Sequence, residues 1–111
     1  MDSYMQRGGL SWGMDLFLNS IRVTYPFAEI GVFPDKIVFK VDVLRIYKKE
    51  IILEKTDIVK IELKRYLYSK GCLFSHTNMY VEKILIFWSF SPKKLMENLT
   101  KMGYGNVIQP K

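Results

Sequence analysis

The chain is 111 residues long, 49% hydrophobic and 25% charged, with aromatics at 14%. That length fits one domain and not two, a domain of this size buries roughly 65% of its extended-chain surface, and the hydrophobicity excludes disorder. The formal net charge of +6 points to anionic partners, and the single cysteine, Cys72, excludes an internal disulfide or a cysteine metal cage and fits a reducing compartment.

Residues 1–9 are polar, contain Gly8-Gly9 and read as a flexible N-terminal segment. Met14, Leu16 and Leu18 alternate, so residues 10–19 read as a short strand. Residues 21–33 are β-rich, and Pro26, which lacks an N–H, belongs on an edge, at a bulge or between two strands. Pro34-Asp35 makes a turn, and Ile37, Phe39 and Val41 then form a hairpin partner with one buried face. At Asp42-Val43 the phase slips, which predicts a turn or bulge. Lys48-Lys49-Glu50 reads as a polar turn and Ile51-Ile52-Leu53 as a short strand.

Thr56-Asp57 is turn-like and opens the clearest alternation in the chain. Val59, Ile61 and Leu63 are set on a dry face, and Lys60, Glu62 and Lys64 on a wet one. Lys70-Gly71 reads as a break, Leu73-Phe74 as a strand core, and His76-Thr77-Asn78 as its end. Residues 82–90 form the last strand. Both of its faces are apolar, so it belongs in a central or doubly covered position. A helix follows, with Ser91 as N-cap, Pro92 at its first position, a stripe of Leu95, Leu99 and Met102, and Gly103 as its stop.

Seven or so short strands and one terminal amphipathic helix predict a mainly β fold (α+β by content). The expected form is a barrel of two near-orthogonal antiparallel sheets, with the helix closing its open end. Residues 10–104 make the single domain and 105–111 a C-terminal tail. The apolar runs fall far below the ~18 residues of a membrane helix, and Asp2, Asp15 and Asn19 interrupt the N-terminus, so no signal peptide is read and the expected location is cytoplasmic.

Three phrases look like small bacterial members of one superfold: Tyr25-Pro26-Phe27-Ala28, the strand from Asp57 to Ile61, and the stretch from Ile86 to Leu95 closing at Gly103-Tyr104. With the strands and the capping helix, the chain from about Tyr25 to Tyr104 resembles the pleckstrin-homology-like superfold. That resemblance implies a binding domain for phosphoinositide headgroups, peptides or partner domains. Lipid-binding members share a basic signature in the first hairpin loop. The corresponding stretch in this chain is expected to be Val32-Phe33-Pro34-Asp35-Lys36, short and with one lysine.

Few residues suggest chemistry. Cys72 and His76 lie four apart, about 13 Å along a strand, too far for a dyad; the expected roles are a small buried hydrophobe and a strand-ending hydrogen bonder. Glu50, Glu54, Glu29 and Glu62 read as solvent-facing carboxylates. Lys93-Lys94 in the first helical turn could hold an anion. Lys60, Lys64 and Arg65, together with Lys40, Lys48 and Lys49 and with Tyr66 and Tyr68 nearby, could form a basic face. Asn98-Leu99-Thr100 matches a glycosylation acceptor but lies inside the helix.

The expected function is a non-enzymatic binding module without a cofactor. Its partner is expected to be a protein bound at a sheet edge or the basic face. The alternative is anionic membrane lipid held by surface lysines, and a small enzyme is the least favoured reading. Nucleic acid is disfavoured because no block of five or six like charges exists. An exposed edge strand could also pair two copies of the chain.

Overall fold

The strand Ile84–Trp88 lies in the middle of the fold, as its two apolar faces require: Leu85, Ile86 and Phe87 are all fully buried. The structure is a computed structural model that describes residues 3–14, 20–66 and 69–109. Its strands are β1 (Tyr4–Gly13), β2 (Ser20–Val32), β3 (Lys36–Val43), β4 (Tyr47–Glu54), β5 (Ile58–Tyr66), β6 (Ser69–His76), β7 (Ile84–Trp88) and β8 (Ile108–Gln109), with one α-helix, α1 (Pro92–Leu99). Hydrogen bonding runs continuously through one sheet in the order β4-β3-β2-β1-β7-β6-β5-β8. The first seven strands pair antiparallel and β8 lies parallel to β5. The sheet is not closed: β4 and β8 are its two ends among the described residues.

The sheet nevertheless curls over a core. Phe39 on β3 meets Phe74 on β6 edge to face, 5.1 Å between ring centroids, although three strands separate β3 from β6 in the sheet order. Leu10, Ile30, Leu53, Ile61 and Phe87 fill the space around them. The helix lays Leu95 and Leu99 on this core, both fully buried, and Met102 packs against it. The helical path continues through Thr100–Tyr104 and breaks at Gly103, whose φ of 97° is the left-handed conformation glycine tolerates.

Several elements differ from the sequence expectation. Residues 4–9, expected to be a flexible lead-in, are the first six of the ten residues of β1. Gly8 and Gly9 are there because the chain must pass close to β7: a Cβ on Gly8 would lie 2.2 Å from the Trp88 carbonyl oxygen. At this corner β1 stops pairing with β2 alone and gains β7 as a second partner. The first hairpin is therefore β1–β2, and residues 32–36 are the β2–β3 turn, closed by Phe33 N–H donating to Lys36 O. Residues 15–19 of the expected first strand lie outside the described residues.

Lys48-Lys49-Glu50 is not a turn but part of β4; the turn comes earlier, at Leu44-Arg45. Lys70-Gly71 lies within β6, where Gly71 makes room for the Trp88 ring on the outer face. A bulge between Ile58 and Lys60 shifts the phase of β5, so Ile58 is buried and Val59 is 57% exposed, the reverse of the expected pattern. The expected tail instead carries a 3-10 turn at Gly105–Val107 and β8, which covers β5 at Ile61 and Glu62.

Candidate functional site

Three connections meet at the end of the molecule opposite the helix. The antiparallel order brings the end of β1, the β3–β4 turn and the β6–β7 loop together. Contacts between them fix the arrangement. Lys49 Nζ on β4 lies 3.3 Å from Glu82 Oε2 in the β6–β7 loop. The Trp12 and Tyr47 rings stack with centroids 6.4 Å apart, and the Lys49 ammonium lies 5.6 Å from the Trp12 ring. Met14 and residues 76–83 line one shallow depression.

The tips of these connections are apolar and open to solvent. Leu44 is 72% exposed, Ile46 87%, Met79 94% and Tyr80 99%. Met14 stands beside them at 62%. Arg45, Lys48 and Lys83 are exposed among these tips. A group of large apolar side chains standing in water, interleaved with cations, makes this end the candidate site.

Local structure holds the tips out. The β3–β4 connection is the three residues Leu44-Arg45-Ile46, since Val43 pairs with Tyr47, and it is built on a turn in which Ile46 N–H donates to Val43 O at 2.9 Å. Both central residues have positive φ, 52° at Leu44 and 64° at Arg45. This primed turn matches the twist of a hairpin, and it favours Asn-Gly. Leucine and arginine there cost roughly 1–2 kcal/mol each. Asp42 Oδ1 accepts the Arg45 N–H at 2.9 Å and offsets part of that.

His76 shapes the β6–β7 loop. Its Nε2 lies 2.8 Å from Glu82 O and its Nδ1 accepts the Asn78 N–H at 3.1 Å. A carbonyl can only accept and an N–H can only donate, so Nε2 is the donor and Nδ1 the acceptor in this loop. Asn78 Oδ1 in turn accepts the Tyr80 N–H at 2.9 Å. The expected strand-ending role of His76 is thus what the loop uses. Cys72 is buried, its Sγ 3.8 Å from Met96 Sδ, and burial pushes its thiol up to about 12. That keeps it a thiol at neutral pH and removes it as a nucleophile.

The other residues singled out in the sequence are spread. Lys60 is paired with Glu62 at 3.5 Å on β5, and Lys64 and Arg65 are exposed farther along the same strand. Lys93 and Lys94 are exposed in the first turn of α1, where Lys93 shares a shallow depression with Leu63, Lys70 and Met96. Lys40, Lys48 and Lys49 lie on β3 and β4, several strands from β5, so the expected basic face divides in two. Glu29 and Glu50 each stand opposite Lys40, and Glu54 opposite Lys36, an arrangement of cross-strand partners and not of a catalytic pair. Among the described residues no three metal-binding side chains come together, and no helix is long and apolar enough to cross a membrane.

The exposed tips were missed in the sequence because Leu44 and Ile46 alternate as strand residues do. The available signal was the apolar pair Met79-Tyr80, between the strand end read at His76-Thr77-Asn78 and the strand read from residue 82. Comparison with known proteins found no match among family models, curated proteins or solved structures.

Proposed function

We propose that this chain is a non-enzymatic interaction module, built as a pleckstrin-homology-like barrel from two near-orthogonal halves of its sheet, that docks on anionic membrane surfaces through its apolar loop end. The core contact between Phe39 and Phe74 and the plugging of one end by Leu95 and Leu99 support the barrel reading. The membrane reading is carried by the Leu44-Arg45 turn. There a strained pair of residues presents a leucine and a cation to solvent, where Asn-Gly would be more stable. Strain kept at an exposed tip points to use of that tip.

A bilayer suits this end better than a rigid partner. The tips come from separate connections, and a deformable apolar phase accepts them without matched shape. Apolar tips beside Lys and Arg are the pattern of interfacial binding, and a tyrosine such as Tyr80 has an apolar ring and a polar hydroxyl for the headgroup boundary. Each cation near an anionic leaflet contributes about 1 kcal/mol. Each fully inserted apolar side chain contributes about 1.5–3 kcal/mol. Lost translational freedom offsets much of this, so the binding is reversible and weakens with salt. The sequence between β1 and β2 reads Met14-Asp15-Leu16-Phe17-Leu18-Asn19, without lysine or arginine, so the reading rests on surface charge and insertion and not on a headgroup pocket.

Flotation with vesicles tests it. The protein should float with phosphatidylcholine vesicles containing phosphatidylglycerol at low salt and less at high salt. Ile46→Asp with Tyr80→Asp should leave it at the bottom of the gradient with an unchanged thermal melt. No flotation at low salt would end the proposal.

A further inference from the structure

A second surface, independent of the loop end, lies toward the helix where β7 crosses the corner of β1. Arg22, Thr24, Tyr25, Lys70, Trp88 and Phe90 line a cleft of about 560 Å³ there, completed by Gly9, Val23, Ser89 and Pro92. Tyr25 and Phe90 meet edge to face with centroids 5.0 Å apart, yet Tyr25 is 52% exposed and Phe90 76%. Phe90 follows β7 and could have turned inward with Leu95; it stands in water beside another aromatic ring. The Trp88 ring is held in place on the outer face: its Nε1–H donates to Ser11 Oγ at 2.7 Å and the Arg22 guanidinium lies 4.3 Å from the ring centroid. Glycine at positions 9 and 71 leaves room on both sides of it, since both residues are its direct partners in the sheet.

Two further observations define what fits. The lining contains two cations, Arg22 and Lys70, and no acidic residue. The strand beside the cleft also leaves the ladder: β2 pairs with β1 at 20–23 and from Ala28 onward, and with β3 only from Ala28 onward, while the Pro26 carbonyl between them accepts from Arg7 Nη1 at 3.4 Å. Residues 24–27 therefore have no ladder partner on either side among the described residues. Rigid aromatic rings give contact area at small entropic loss, cations select carboxylates, and unpaired strand backbone accepts extended main chain.

We infer that this cleft binds an extended peptide segment carrying an apolar or aromatic anchor next to an acidic residue. The anchor packs between Tyr25, Phe90 and Trp88, the carboxylate meets Lys70 and Arg22, and the peptide backbone runs along the unpaired part of β2. This gives the module a protein ligand at a place separate from its membrane-facing tips.

The experiment is selection of displayed random peptides on the purified protein, followed by calorimetric titration of the synthesised winners. Enriched peptides should combine Asp or Glu with an aromatic or large aliphatic residue. Their affinity should fall by at least about tenfold, roughly 1.4 kcal/mol, in Tyr25→Ser with Phe90→Ser and again in Lys70→Glu. Both side chains are largely exposed, so the double variant should fold, and its melt should match the parent. The same variants should float with anionic vesicles as the parent does, which separates this inference from the membrane reading. No enrichment, winners lacking acidic residues, or binding that survives the cleft variants would each overturn it.

Discussion

The hydroxyl of Tyr104 donates to the carbonyl oxygen of Phe33 at 2.7 Å. One end of the bond lies just past the Gly103 break and the other in the β2–β3 turn, so a single hydrogen bond ties the end of the helix to the first half of the sheet. The ring itself is fully buried, and the Lys55 ammonium lies 5.4 Å from its centroid. Tyr104→Phe keeps the packing and leaves the Phe33 carbonyl without its donor. It should lose about 1–2 kcal/mol in urea unfolding. It should also speed hydrogen exchange in Thr100–Tyr104 more than in β7. An unchanged urea midpoint would show that solvent replaces the bond.

Alkaline pH should destabilise the fold through two groups. Burial pushes the Cys72 thiol from 9.0 up to about 12. Burial, then the Asp35 carboxylate and then that of Glu54, push the Tyr104 phenol from 10.0 up to about 12. In each case the folded state keeps a proton that the unfolded state has lost. Stability is therefore full below the unfolded values and declines as pH rises through them toward the folded ones. The urea midpoint should begin to fall above about pH 9 and fall more steeply above about pH 10. Cys72→Ala should remove the earlier onset. A flat midpoint across that window contradicts the assignment. The native thiol should also resist aromatic disulfide reagents until the protein unfolds.

The β3–β4 turn offers a trade between stability and function. Leu44→Asn with Arg45→Gly should raise stability by about 1–2 kcal/mol, because the two positive-φ positions then hold residues suited to them. The same change removes an exposed leucine and a cation, so flotation with anionic vesicles should weaken. Greater stability with undiminished flotation would detach this turn from the membrane reading.

Gly8→Ala should be among the most damaging small changes in the chain. Its Cβ would meet the Trp88 carbonyl oxygen at 2.2 Å, a backbone atom that cannot yield without moving β7. A loss of about 3 kcal/mol or more is expected, at the upper end of overpacking effects. Gly31→Ala is the control: its nearest neighbour is the Met5 sulfur at 3.0 Å, near the end of a flexible side chain, and it should cost under about 1 kcal/mol. Equal effects in thermal melts would contradict the corner geometry.

The helix and β7 were legible in the sequence because their signals are local. Ser91-Pro92 opens the helix, Gly103 stops it, and Leu95 and Leu99 lie one turn apart on the buried stripe. The helix is nonetheless capped differently from the expectation: the Ser91 side chain makes no cap, and Ser89 Oγ accepts the Ser91 N–H at 3.0 Å. Strand phases were lost wherever a bulge or a bend intervened. Val59 alternates correctly with Ile61 in the sequence, and only the extra residue in the ladder turns it outward. Residues 4–9 look like a linker because two glycines in a row usually mean freedom; here they mean close approach. The loop end was illegible for another reason. Met14 and Tyr80 are far apart in the chain and come to line one depression only through the pairing of β1 with β7.

That pairing sets the order in which the chain can be finished. Gly9 and Trp88 are direct partners, so one flank of β1 waits for a strand that comes after six others. During synthesis the first hairpin can form as it leaves the ribosome, but it carries an unsatisfied edge until β7 emerges. Late closure of this kind makes for slow completion and for nascent chains that depend on a chaperone or on rapid release.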